Sequence, residues 1–308
     1  MTGKETDSAG ADLDVMNRGA NDWPQGLASV DVEPPRLWLR GTRAHLRVTR
    51  KVAIVGSRAP TPYGEAQARR FGYALARRGV CVVSGLARGV DAAAHGGALE
   101  AGGPTIAVLG CGVDRPWPSG TLADRMAAEG LLISEFPPGV GPRRHHFPLR
   151  NRIIAALSDG VLVVEAAHAS GSLITARWAA DQGQDVFALP GRVDHPMARG
   201  TLRLLREGAT GVDSPEMLLD DLYGQGELPF PHGSPAGSHG PEHGEAAPGS
   251  PSRRNQQVII EALQGETLAA ADLADQTGLG VAQTLAELTS LELDGWIRRC
   301  PGGLYAAR

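Results

Sequence analysis

From Lys51 onward the chain alternates short runs that are apolar from end to end with segments of helical period. "VAIVGS", "VCVVSG", "PTIAVLG", "LLISEF", "GVLVVEA" and "DVFALPG" read as strands. Between them, "YGEAQARRFGYALARRG", "GVDAAAHGGALEAG", "TLADRMAAEG" and "GSLITARWAADQG" read as helices. A strand that is apolar on both faces must be covered on both faces, which means a mostly parallel sheet with helices above and below. The expected fold is therefore α/β: a doubly wound, mostly parallel sheet whose ligands sit beyond the carboxyl ends of the strands. The 308 residues, 42% hydrophobic and 21% charged, suffice to bury such a core.

Flanking segments complete the expected domain plan. Residues 1–33 are expected to form a disordered, truncated stub: the first twenty carry little pattern, Glu5, Asp7, Asp12 and Asp14 argue against an apolar leader, and Trp23, Pro24 and Leu27, with Pro34, Pro35, Leu37 and Trp38, suggest packing on the main domain. Residues 34–223 form the sheet domain. Residues 224–254 are rich in Gly, Pro, Ser and His and read as a flexible linker, so His232, His239 and His243 are ordinary polar linker residues. Residues 255–308 hold three helical segments and a hairpin with Pro-Gly-Gly at its tip, the pattern of a small winged-helix domain. Cys81, Cys111 and Cys300 are scattered without metal spacing, so no metal site is expected, and a reducing cytoplasm fits. No stretch approaches the ~20 apolar residues of a membrane-spanning helix.

Four glycine- or hydroxyl-rich segments fall at strand ends: "GSRAPTPYG", "SGLARGVD", "GCGVDRPWP" and "EAAHASGSLITAR". Glycine lets backbone N–H groups approach a ligand, and the following helix start favours an anion. Ser57, Ser84, Ser170, Ser172 and Thr175 can donate to phosphate oxygens, and Arg58, Arg88, Arg150, Arg152 and Arg177 can pair with them bidentately. Convergence of four such segments on one sheet edge points to a polyanionic partner, although the net charge of the chain is -4. In "HFPLRNRIIAALS", Arg150, Asn151 and Arg152 stand at the mouth of an apolar run, where they either decorate a solvated helix start or hold an anion. Phe147 either stacks on a base or packs its loop. Asp91 either caps its helix or orients Arg88, and His95 lies one turn on, where it can pack against Asp91. Glu165 ends a strand and is the carboxylate to consider for catalysis. The dinucleotide fingerprint G-x-G-x-x-G, the P-loop and the nucleophile elbow are all missing from the sequence.

Taken together, "VAIVGSR", "SGLARGVDAAAH", "LLISEFPPG", "HFPLRNRIIAALS", "VLVVEAAHASGSLITARWAADQG" and "VFALPGRVDHPMARGTLRLLREGA" resemble the DprA/Smf family, the DNA-processing proteins of natural transformation. The resemblance runs from about Pro34 to Leu222. It implies an extended Rossmann-like core that binds and protects single-stranded DNA, loads the RecA recombinase onto it, dimerises through this core and uses no cofactor. It also assigns the DNA contacts: Ser57 and Arg58 in "GSR", Arg88 in "SGLARG", Phe147, Arg150, Asn151 and Arg152 in "HFPLRNR", and Gly171, Ser172 and Arg177 in "SGSLITAR". On that reading Arg150 and Arg152 hold a phosphate.

The family's helical N-terminal domain is expected to be truncated here, with only "DWPQGLASV" and "PPRLWLRG" resembling its end. Arginine replaces the lysines that the family places along the DNA path, since lysine occurs only at Lys4 and Lys51. Leu202, Leu204 and Leu205 suit either a subunit contact or core packing.

Two other functions compete. Phosphoribohydrolases of a related fold use a "PGGxGTxxE" loop with a catalytic glutamate, which would make this a nucleotide-processing enzyme. Here Ala176, Arg177, Trp178 and Ala179 follow Thr175, with no carboxylate at that spacing. A sequence-specific regulator would read duplex DNA through the winged helix, but "GVAQTLAELTSLELDG" carries Glu287, Glu292 and Asp294 and no Lys or Arg. A non-enzymatic single-strand binder fits best.

Overall fold

The strands alternate their side chains between two buried layers, and this explains their unbroken apolar character. Val52 and Ile54 of β4 (Lys51–Val55) face a core built with Phe71, Leu75 and Leu218, while Ala53 and Val55 face one built with Ile153, Ile154 and Ala176. In the computed structural model, residues 4–6, 12–30, 32–224, 251–263, 267–293, 296–300 and 304–307 are described. They fall into two units, Met1–His232 and Gly233–Arg308.

The first unit holds β1 (Lys4–Thr6), β2 (Asp12–Asn17) and β3 (Arg36–Gly41) ahead of β4. There follow α1 (Pro62–Arg77), β5 (Cys81–Ser84), α2 (Val90–Glu100), β6 (Thr105–Val108), α3 (Thr121–Ala128), β7 (Leu131–Ser134) and α4 (His146–Ala156). It ends with β8 (Gly160–Val163), α5 (Ser172–Asp181), β9 (Asp185–Ala188), α6 (Arg199–Arg206), β10 (Thr210–Gly211) and α7 (Pro215–Tyr223). They form a ten-stranded sheet of order β1-β2-β3-β7-β6-β5-β4-β8-β9-β10. From β7 to β10 all neighbours are parallel, and β1, β2 and β3 extend the β7 edge antiparallel. The chain winds outward from β4 through β5, β6 and β7, then returns to lay β8 on the other side of β4. That reversal makes the carboxyl ends of β4 and β8 the crevice of the sheet. The six strands expected from the sequence are β4 to β9.

The disorder expected of the first twenty residues is corrected from Asp12 on, while Leu27 and Trp23 pack against the main core, as the sequence suggests. Strand β2 pairs with β3, Leu13, Met16 and Leu27 are buried, and the Trp23 indole donates to Glu33 at 2.9 Å. The weak pattern of the first twenty residues suggests no ordered packing. Arg43 reverses this: its guanidinium grips Asp14 and, in a bidentate pair at 2.9 and 3.0 Å, Asp22, whose carboxyl it holds below the usual range. Of the expected linker only Gly224 and residues 251–254 lie within the described residues, so the three linker histidines fall outside them.

The second unit is a winged helix: α8 (Pro251–Ala262), β11 (Leu268–Ala269), α9 (Ala270–Thr277), α10 (Val281–Leu293), β12 (Ile297–Cys300) and β13 (Leu304–Ala307). Its sheet order is β11-β13-β12, and its core gathers Ile259, Leu263, Leu273, Leu288, Leu291 and Ile297. The hairpin tip lies outside the described residues. Among the described residues no helix is long and apolar enough to cross a membrane.

His95 on α2 is fully buried, and its ring hydrogen-bonds to Thr105. Its Nδ1 lies 2.7 Å from the Thr105 hydroxyl, which itself donates to the Val82 carbonyl, so Nδ1 carries the hydrogen and Nε2 is left bare without a partner. Burial, with Arg150 nearby, pushes this imidazole down to about 3. The unfolded chain would bind a proton there below about pH 6.5, and the folded chain would not. Stability is therefore expected to fall as pH drops from about 6.5 towards 3, by a little over ~1 kcal/mol per pH unit from this group. Urea unfolding across that range should show a shallower pH slope, by about one proton, in His95→Gln.

Candidate nucleic-acid interface

The crevice between β4 and β8 opens as a cleft of about 590 Å³. Gly56, Ser57 and Arg58 enter it from the loop after β4, and Ala169 to Ser172 from the loop after β8. Arg144, Phe147, Arg150 and Asn151 enter from the start of α4. A second cleft of about 380 Å³ adjoins it, lined by Arg58, Ala59, Arg88, Trp117, Pro118 and Phe147. Arg58 and Phe147 belong to both, with the Arg58 guanidinium 5.3 Å from the centre of the Phe147 ring. That spacing suits a cation–π contact, which steadies the pair without neutralising the charge.

Arg58, Arg88 and Arg144 are exposed, and none is in an ion pair among the described residues. Elsewhere on this unit Arg69, Arg78, Arg125 and Arg203 are answered by Glu100, Glu216, Glu129 and Glu207, whereas Arg70, Arg77 and Arg206 are exposed and in no ion pair among the described residues; what sets Arg58, Arg88 and Arg144 apart is that they line the two clefts. The only acidic residue lining either cleft is Asp91, which is buried. Unanswered positive charge on a concave, partly aromatic surface attracts and holds anions.

The floor explains why the surrounding loops are glycine-rich. Arg150 is 4% exposed. It donates to the carbonyls of Gly85, at 2.7 Å, and Val108, and to Asn151 Oδ1 at 3.0 Å. Asp91 accepts from the Gly85 and Ala87 N–H groups at 3.1 and 3.4 Å, so Gly85 is clamped by a cation on its carbonyl and an anion on its amide. A Cβ at Gly85 would overlap the Arg150 guanidinium, so only glycine fits there. The next residue, Leu86, is held at φ 57°, a strained conformation for a branched side chain. Burial lowers Arg150 to about 10, against the pull of Asp91, yet leaves it charged at neutral pH. Burial likewise raises the Asp91 carboxyl, which Arg150 opposes. Asp91 thus holds the turn before its own helix and faces Arg150 rather than Arg88.

At the α5 end, Asn151 donates to the Gly171 carbonyl at 3.3 Å, and the Ser170 and Ser172 hydroxyls lie 2.8 Å apart. Gly171 provides no side-chain cap for α5; the first-turn N–H groups of Ser172, Leu173 and Ile174 donate instead to the Ser170 hydroxyl, the Ser170 carbonyl and the Gly171 carbonyl at 3.4, 3.2 and 3.2 Å. Ser57 is buried, its hydroxyl accepting from Ala59 N–H at 3.1 Å, and it lines the cleft.

Two of the assigned arginines lie elsewhere. Arg152 is 3% exposed, fork-to-fork with Glu135 at 2.6 and 2.7 Å, and donates further to the carbonyls of Leu149 and Val32. Two residues along a helix turn the side chain through about 200°, so Arg150 and Arg152 cannot face the same phosphate. Arg177 sits on the outer side of α5, beside Arg203 and Leu204. Ser84 is committed to the Ile54 carbonyl at 2.6 Å. Glu165, the carboxylate considered for catalysis, accepts from the Thr61 N–H at 2.8 Å and its hydroxyl at 2.5 Å, and so pins the start of α1. Arg144 and Trp117 line the clefts but were not singled out from the sequence. The basic pair before "HHFP" was a signal for Arg144, whereas nothing local marked Trp117.

The DNA recombination-mediator protein A family model matches residues 14–223, and the DprA winged helix domain matches residues 243–303. Protein Smf of Escherichia coli is 42% identical over 290 residues, covering 92% of this chain and 75% of that protein. The crystal structure of DNA processing protein A from Streptococcus pneumoniae superposes with a TM-score of 0.64 at 39% identity, covering 68% of this chain and 74% of that one. A second structure, of DNA processing protein A from Helicobacter pylori, gives a TM-score of 0.62 at 32% identity, covering 68% and 97%. It is described as revealing that protein's single-stranded DNA binding mode.

Proposed function

Because the chain belongs to the DNA recombination-mediator protein A family, we propose that its sheet domain seats unpaired DNA across the two clefts, protects it, and hands it to the RecA recombinase in the cytoplasm. On this reading the protein acts as a dimer and carries out no covalent chemistry. The observation that carries the reading is the set of three unanswered arginines, Arg58, Arg88 and Arg144, around the Phe147 ring. Phosphates fall to the arginines, and a base stacks on Phe147. Arg150 supplies positive potential from the floor without giving up its carbonyl partners.

A nucleotide hydrolase is disfavoured because Glu165, the one carboxylate on the loop before α5, is consumed by Thr61, and no carboxylate follows Thr175 at the required spacing. The Helicobacter pylori relative's single-strand binding favours the same reading.

A labelled oligo-dT titration at several salt concentrations tests it. The expected result is tight, salt-sensitive binding that mononucleotides and duplex DNA displace poorly. Equal competition by duplex, or release of free base from nucleoside monophosphates, would overturn it. Phe147→Ala is expected to weaken oligo-dT binding about ten- to a hundredfold, the scale of one lost base stack. Its salt slope should be unchanged, since no phosphate contact goes.

A further inference from the structure

We propose that Trp117 is a second stacking platform, holding an unpaired base one cleft beyond the base on Phe147. The proposal rests on the single-strand reading of the clefts.

Trp117 lies on the loop between β6 and α3, at the carboxyl end of β6, and is 50% exposed. The loop that presents it is tied down. Asp114 accepts from the Gly139 N–H at 2.9 and 3.0 Å through its two oxygens, Gly112 N–H donates to the Val140 carbonyl at 2.8 Å, and the Cys111 thiol donates to the Arg115 carbonyl at 3.1 Å. Half of a large apolar ring is thus kept in water by a loop with little freedom to withdraw it, which forgoes burial that a tryptophan ordinarily gains.

The ring does not stand alone. It shares its cleft with Phe147 and with Arg58 and Arg88, and no acidic side chain lines that cleft. Two aromatic rings and two unanswered guanidinium groups around one slot match alternating bases and phosphates. Every base has a π-face, so such a slot is tolerant of sequence. A strand entering past Arg144 and Phe147 would continue over Arg58 to Arg88 and Trp117. The footprint is then at least two stacked bases.

The test uses the full chain and fluorescence anisotropy with labelled oligo-dT. Trp117→Ala is expected to weaken binding about ten- to a hundredfold, Trp117→Phe to restore most of it, and both to keep the wild-type salt slope. A strand of the same length made of abasic sites should bind wild type and Trp117→Ala equally weakly. The part of the tryptophan emission quenched by oligo-dT should be lost in Trp117→Phe. If Trp117→Ala binds oligo-dT like wild type while Phe147→Ala is impaired, the platform is overturned and the cleft reading stands. A Trp117→Ala variant that changes self-association in sedimentation but not oligo-dT affinity overturns it too, by making the ring a subunit contact. If wild type binds no oligo-dT, the cleft reading itself fails and the platform with it.

Discussion

Arg152→Ala is expected to destabilise the sheet domain by about 3–5 kcal/mol and to leave the DNA affinity of the folded protein, and its salt slope, unchanged. Arg152 and Glu135 are taken almost wholly out of water, with side-chain exposures of 3% and 13%. Removing the cation leaves the carboxylate without its partner, and the Val32 and Leu149 carbonyls lose their donors. A loss of that size is a large part of the total stability of an ordinary domain. Lysine is not expected to rescue it, because one ammonium cannot reproduce two parallel bonds to Glu135 and a third and fourth to carbonyls. Replacing Arg152 and Glu135 together by apolar residues of similar volume should cost much less than Arg152→Ala alone. Chemical denaturation and oligo-dT titration of the same samples decide the matter. Normal stability with a reduced salt slope would mean that Arg152 meets phosphate after all.

The second large effect is on binding. The double variant Arg58→Ala, Arg88→Ala is expected to lose a hundredfold or more in oligo-dT affinity, at about tenfold or more for each charged hydrogen bond. The magnitude of its salt slope should fall by about 1.4, or ~0.7 for each of two phosphates. Stability should move by no more than ~0.5 kcal/mol, since both side chains are exposed and unpaired among the described residues. The two arginines share one cleft, so the single variants need not add. Retention of the full salt slope in the double variant would show that phosphates bind elsewhere. Arg152→Ala and this pair are opposite experiments on the same residue type, one reading stability and the other charge.

The difference between them was not legible in one dimension. "HFPLRNR" offers Arg150, Asn151 and Arg152 as a single basic cluster. Folded into α4, the three separate: Arg150 goes under the cleft, Asn151 into it, and Arg152 to Glu135 on another face. The same holds for Asp91 and His95, neighbours at helical spacing whose partners, Gly85 and Thr105, come from elsewhere in the fold. Residues 12–20 read as disordered because their sequence shows little local pattern. The Arg43 that neutralises Asp14 and Asp22 is a long-range partner.

What the sequence determined alone was everything that follows from local period and composition. Apolar runs of four or five residues between helical stretches can satisfy their backbone and bury both faces only as a parallel, helix-covered sheet, and the order of the runs then puts glycine-rich loops at one edge. The winged-helix pattern near the C-terminus follows in the same way. Tertiary structure alone decided which of the arginines at that edge remain available. Whether a guanidinium is free depends on whether a carboxylate or carbonyl from a distant segment reaches it. Among the described residues Arg58, Arg88 and Arg144 found none, Arg152 found Glu135, and Arg150 found the carbonyls of Gly85 and Val108.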